Sequence, residues 1–189
     1  MLIPVVIGVV SGLTFLFAFR FYNRLVALRN RAEGSWSDID VQLKRRHDLI
    51  QSLVETVRGY AKHERDTLDA IVAARSAATV ALKDGAAAAA PAESEFAKGI
   101  GRLFAVVEAY PDLKADQNFR QLHRSLVEVE EGIQNARRYY NAVVRDLNTR
   151  IQSFPDLIIA RMMRFQERAF FELDAAAERA VPRIDLGAS

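Results

Sequence analysis

The residues of this 189-residue chain that could do chemistry are three histidines and the charged side chains around them. Imidazole binds metal or carries protons, and helical proteins build metal sites from Glu-x-x-His pairs on facing helices. The positions three before His47, His63 and His123 hold Lys44, Tyr60 and Arg120, so that pattern is missing. His47 and His63 stand 16 residues apart, which places them about 160° apart around one helix. A single ion could join them only if the helix broke at Gly59. Packing or surface histidines are the reading this spacing favours. The fullest polar constellation is Arg46, His47 and Asp48 with His63 and Glu64. Brought together between helices, these five would make a ligand- or metal-responsive regulator, or an enzyme.

Other chemistries find less support. Asp38 and Asp40 flank Ile39, and two positions apart on a helix they point in different directions. No glycine-rich phosphate loop, nucleophile elbow or Ser/His/Asp cluster is apparent. The absence of cysteine excludes disulfides, thiolate zinc sites and cysteine nucleophiles. With 26 basic and 24 acidic side chains the net charge is only +2, which does not describe a nucleic-acid surface. No catalytic residue, metal or cofactor is expected.

The elements that would position any site begin with an uncharged run from Met1 to Phe19, followed by Arg20, Arg24, Arg29 and Arg31. An apolar stretch of about 18 residues or more spans a hydrocarbon core as a helix. A cleaved signal peptide would need a basic start and a small-residue cleavage site, and neither is visible here. The run therefore reads as a transmembrane anchor over 1–21, and the four arginines as contacts to lipid headgroups. Their position C-terminal to the span predicts a single-pass protein with its N-terminus outside and its bulk in the cytoplasm, although Glu33, Asp38 and Asp40 weaken the bias against a periplasmic placement.

Beyond the anchor, Trp36, Ile39, Leu43, Ile50, Leu53, Val57, Tyr60, Ile71, Ala74 and Ala78 fall at heptad steps, interrupted by Arg46, Glu64 and Thr67. The pattern predicts a helix that continues out of the membrane as far as Lys83, roughly 80 residues and on the order of 120 Å. Asp84-Gly85, the alanines 86–90 and Pro91 predict a break, followed by a short helix over 94–109. Phe119, Leu122, Leu126, Val129, Ile133, Ala136, Tyr140, Val143 and Leu147 predict the most regular helix, from about Asp116 to Ile151, ended by Ser153-Phe154-Pro155. A less regular helix is expected from Leu157 to about Ala180, before Pro182.

Seams of this length must bury each other. The expected fold is all-α: a transmembrane helix, then an antiparallel bundle of long helices over 22–182 and a tail over 183–189. The last segment reads as an ordinary bundle helix, but its mixture of apolar residues and arginines also fits an interfacial or partner-docking helix. Ile158, Ile159, Met162, Met163, Phe165, Phe170 and Phe171 form the candidate interaction surface, the methionines being adaptable in contacts. Expected partners are the lipid bilayer, further copies of the chain and other membrane proteins, with no nucleic acid.

Specific stretches also resemble a known family. Tyr22-Asn23-Arg24-Leu25-Val26-Ala27-Leu28-Arg29-Asn30-Arg31 and Trp36-Ser37-Asp38-Ile39-Asp40-Val41-Gln42-Leu43 resemble the opening of the LemA family. Gly59-Tyr60-Ala61-Lys62-His63-Glu64, Tyr110-Pro111-Asp112-Leu113-Lys114-Ala115-Asp116, Ala136-Arg137-Arg138-Tyr139-Tyr140-Asn141 and Ile151-Gln152-Ser153-Phe154-Pro155 continue the resemblance. It implies a bacterial single-pass membrane protein with a helical domain, and brings no catalytic residues with it. The chain departs from the family pattern at Ile50-Gln51-Ser52 and after Phe154-Pro155.

Overall fold

The computed structural model describes residues 2–173 and is all-α, with no strand among the described residues. Helix α1 runs from Leu2 to Tyr60 as one element of 59 residues. The apolar segment therefore passes into the charged segment without a break. It does not continue to Lys83: residues 61–64 leave the helix, and α2 starts anew at Arg65–Ala81. Arg58 on one side of this corner pairs with Asp69 on the other, and the Tyr110 hydroxyl donates to Glu64 Oε2 at 2.8 Å. The heptad pattern crosses the corner because α1 and α2 each turn an apolar face to the same core.

A short 3-10 helix, Leu82–Asp84, leads into Gly85, whose φ of +84° suits glycine and strains any other residue. Helix α3 then spans Ala86–Glu108. It starts before the predicted Ser94, because the alanines 86–90 form its opening turns and Pro91 is carried inside it. Alanine has the highest helix propensity, and so close to the start Pro91 costs the ladder one hydrogen bond. The short helix α4, Pro111–Ala115, opens on proline at its first position, where the missing N–H would have had no partner. Helix α5, Gln117–Gln152, matches its expectation to within a residue. The Asp116 carboxylate accepts the Phe119 N–H at 2.8 Å and caps it.

Helix α6 covers only Asp156–Met162. The helix expected as far as Ala180 stops at Met163, and Arg164 takes a φ of +56°. Residues 165–173 follow without regular structure, and positions 174–180 lie outside the described residues. The reason is competition for backbone groups. Asn148 accepts the Arg168 N–H and donates to the Arg168 carbonyl, both at 2.9 Å, while the Tyr140 hydroxyl donates to the Ala169 carbonyl at 2.9 Å. Side chains of α5 thus take backbone partners that a helix would have kept for itself.

The described residues fall into two compact units, one of 2–36 with 139–169, the other of 37–138 with 170–173. In the first, Leu25, Leu28 and Ala32 of α1 are buried, as are Tyr140, Val143, Val144 and Leu147 of α5. Trp36 and Tyr140 meet ring to ring at 5.6 Å. In the second, Ile50, Leu53 and Val57 share a core with Leu68, Ile71, Phe96, Ile100, Phe104, Phe119 and Leu126. The alternating three-four spacing of α1 and α5 is therefore satisfied within the chain.

Candidate functional site

The most highly charged buried cluster lies in the second unit, around Arg46. The seam of α1 passes through this residue, and the fold buries it to 1% exposure. Its guanidinium Nη2 pairs with Glu93 on α3, and Nη1 donates to Glu130 Oε1 on α5 at 3.1 Å. Its cationic carbon sits 5.6 Å over the Phe96 ring, a favourable placement for a desolvated cation. Glu93 is fully buried, and its second oxygen lies 2.8 Å from His47 Nε2. His47 Nδ1 lies 3.0 Å from the Thr79 hydroxyl of α2, which also donates to the Arg75 carbonyl at 2.9 Å. Four helices meet in one chain of polar contacts.

Burial alone would push the Glu93 carboxyl upward. The His47 hydrogen bond and the Arg46 charge outweigh it, so the group is held below its ordinary value of 4.5. Arg46 is desolvated too, yet the Glu130 and Glu93 charges raise it further. Both partners therefore carry full charge at neutral pH. One oxygen of Glu93 is taken by Arg46 and the other by His47, and neither is open to solvent. The arrangement can clasp helices together, and its proton positions are fixed by neighbours rather than by solvent.

Only part of the sequence constellation assembles here. Arg46 and His47 come together, and Asp48 lies beside them on a cleft of about 410 Å³ bordered by Lys44, Arg75, Ser76 and Thr79. His63 is exposed at the corner after α1, and Glu64 is engaged by Tyr110. His123 packs between Phe104, ring edge to face at 5.3 Å, and Phe119, stacked at 6.3 Å. No group of three metal-ligating side chains occurs among the described residues. Sequence reasoning missed Glu93, Glu130 and Thr79. A signal for Glu93 existed: with Phe96, Ile100 and Leu103 it continues the three-four spacing of α3, so it occupies a seam position as Arg46 does.

The second candidate surface lies in the first unit. Leu2, Ile3, Val5, Phe15, Leu16 and Phe19 are more than half exposed, and the apolar stretch of α1 that holds them, with a mean hydropathy of 2.4, is unburied. This helix, apolar all round and uncovered among the described residues, is long and apolar enough to cross a membrane. The arginines that follow divide by direction. Arg24 and Arg31 border a cleft of about 440 Å³ with Asp146, Thr149 and Arg150. Arg29 lies over Phe165 at 5.6 Å, and Arg20 is exposed.

Of the candidate interaction residues, Ile158, Met162 and Met163 are exposed, and Phe170 is 38% exposed. Ile159 is half-buried. Phe165 is half-buried against Tyr22, with ring centroids 6.1 Å apart, and Phe171 is fully buried, so these two pack inside the fold rather than present a surface.

Known proteins are similar to this chain in sequence. The chain is 25% identical, over 92% of its length, to magnetosome protein MamQ 2 of Paramagnetospirillum magneticum, covering 73% of that protein. It is also 25% identical to magnetosome protein MamQ of Magnetospirillum gryphiswaldense, over 83% of this chain and 66% of that one. Protein LemA of Metamycoplasma hominis is 27% identical over 88% of this chain and 74% of its own length. Residues 35–186 match the LemA family, a stretch that takes in the corner after α1, the Arg46 cluster and α5. With its unburied apolar helix the protein is a membrane-associated helical one, and it belongs to the LemA family.

Proposed function

We propose that this protein is a membrane-anchored, non-enzymatic scaffold, held in the bacterial inner membrane by α1 with the bulk of its helices in the cytoplasm. The observation that carries the reading is α1 itself, whose apolar first third is unburied among the described residues while its remainder is built into the folded core. Arg20, Arg24, Arg29 and Arg31 support the cytoplasmic placement, because basic flanks are retained on that side. The heptad seams are covered within the chain, so self-association or docking of a partner membrane protein uses the span and the outer faces, where Val41 and Tyr139 are exposed.

Photo-crosslinkers at Val41 and Tyr139 in native membranes test the scaffold. Adducts to further copies or to a membrane protein are expected, and a strictly monomeric chain without crosslinked neighbours overturns it. Digestion of the helical part by protease added from the periplasmic face overturns the orientation. A ligand- or metal-responsive reading rests on the cleft beside His47 and Asp48. Thermal shift with divalent ions and nucleotides separates it from the scaffold, since a ligand-responsive protein would be stabilised by its ligand.

A further inference from the structure

Besides the span, the first unit leaves an apolar surface uncovered among the described residues. Phe154 is 80% exposed, Ile158 56% and Met162 67%. Ile158 and Met162, four residues apart on α6, share a face. Exposed large apolar residues grouped in this way mark a contact rather than chance.

The place of this surface within the unit identifies the contact. Within the unit, α5 runs antiparallel to α1, since Tyr140 meets Trp36 while Thr149 and Arg150 share a cleft with Arg24 and Arg31. The end of α5 therefore descends toward the start of the charged segment. The turn after α6 closes through the Phe165 N–H to the Ala160 carbonyl at 2.9 Å, and the Phe165 ring rests against Tyr22. Tyr22 is three residues beyond Phe19, about 5 Å along a helix axis. The apolar surface of α6 thus stands at the level where the span leaves the hydrocarbon.

Charge agrees with position. Arg161 and Arg164 are exposed beside the apolar residues, as Arg20 and Arg24 are on α1. Interfacial helices bury an apolar face about 5–10 Å into the headgroup and acyl boundary with cations on anionic headgroups. Long arginine side chains can reach back to phosphate while the neighbouring residues enter the apolar layer.

We infer that α6 is a second membrane contact, in which Phe154, Ile158 and Met162 enter the headgroup and upper acyl region of the leaflet the span leaves, with Arg161 and Arg164 on anionic headgroups. This rests on the anchored reading of α1 and adds to it. A single helix can tilt and rotate about its axis, whereas a helix with a second contact beside it is fixed in both respects.

The chain contains no cysteine, so single positions can be labelled without a background. The full-length variants Ile158→Cys, Met162→Cys, Val10→Cys and Glu131→Cys carry an environment-sensitive fluorophore in vesicles of phosphatidylethanolamine and phosphatidylglycerol, and in nanodiscs holding one copy each. The expected result is blue-shifted emission at 158 and 162, strong quenching by a nitroxide in the upper acyl chain, and little quenching by aqueous iodide. The Glu131 label should show the reverse. If the Val10 label sits in the acyl region while 158 and 162 remain open to iodide, the second contact is overturned and the anchor stands. An aqueous Val10 label overturns both. Protection at 158 and 162 that vanishes in single-copy nanodiscs assigns the surface to a second copy of the chain and overturns the lipid contact.

Discussion

His47 Nε2 and Glu93 Oε1 lie 2.8 Å apart in a part of the core where both side chains are almost fully buried. The contact makes sense only with Arg46 on the other carboxylate oxygen, because an isolated buried carboxylate would pay a large desolvation cost. Removing one member should therefore cost more than removing the pair.

Glu93→Ala is expected to destabilise the second unit by about 3–5 kcal/mol, since it leaves Arg46 buried with only the partly exposed Glu130 as counter-charge. The double variant Arg46→Met, Glu93→Leu should recover much of that loss. Urea unfolding followed by far-ultraviolet circular dichroism measures both. A double variant that is no better than Glu93→Ala would show that the charges do not act as a pair.

The same carboxyl sets a pH dependence. Its folded value lies below the ordinary 4.5, so the unfolded chain takes up its proton first. The stabilisation is complete above about 4.5 and is lost as the pH falls through the lower folded value. Comparing unfolding midpoints of the wild type and Glu93→Gln across the acid range isolates this group. The gap between them should be constant near neutrality and close as acid is added.

The segment after α6 should loosen when its two holds on α5 are removed. Asn148→Ala deletes both contacts to the Arg168 backbone, and Tyr140→Phe deletes the one to Ala169. A net value of about 1 kcal/mol per hydrogen bond predicts that protection of the Arg168 amide falls roughly tenfold or more in Asn148→Ala, read by hydrogen exchange. Protection in Tyr140→Phe should fall less. Unchanged exchange in both variants would show that other contacts hold the segment.

Two glycines should respond in opposite directions to alanine. Gly34 lies within α1 with open space where a Cβ would go, so Gly34→Ala should raise stability by about 0.5–1 kcal/mol. Gly85 has equal space but a φ of +84° with an extended ψ of -172°, a conformation open to glycine and hardly to any other residue, so Gly85→Ala should lower it by about 1–3 kcal/mol. Thermal unfolding of the two variants decides whether conformation or room governs each site.

Much of this architecture is readable from the order of side chains. The uncharged run before Arg20 and the three-four spacing from Phe119 to Leu147 mark α1 and α5, because long amphipathic or apolar periods leave few alternatives. The corner at residues 61–64 was hidden because the apolar spacing resumes in phase at Ile71 and Ala78, on a different helix facing the same core. The start of α3 was hidden by Pro91, which reads as a breaker although the opening turns of a helix tolerate it. Arg46 was visible as an interruption of its seam, but its meaning depended on Glu93, 47 residues away in sequence on another helix. A pairing between two interrupted seams is a fact of three dimensions, which neither periodicity contains alone.

The hold on the segment after α6 also bears on how its sequence can vary. Asn148 addresses only the N–H and the carbonyl of position 168, and Tyr140 only the carbonyl of position 169. Both are groups that nearly every amino acid supplies. These two holds are consequently indifferent to the side chains at 168 and 169, with proline at 168 the clear exception because it lacks the N–H. Descendants of one ancestor could thus change the letters at 168 and 169 while threading the backbone along the same course, whereas the packed rings of Phe165 and Phe171 on either side give no such freedom.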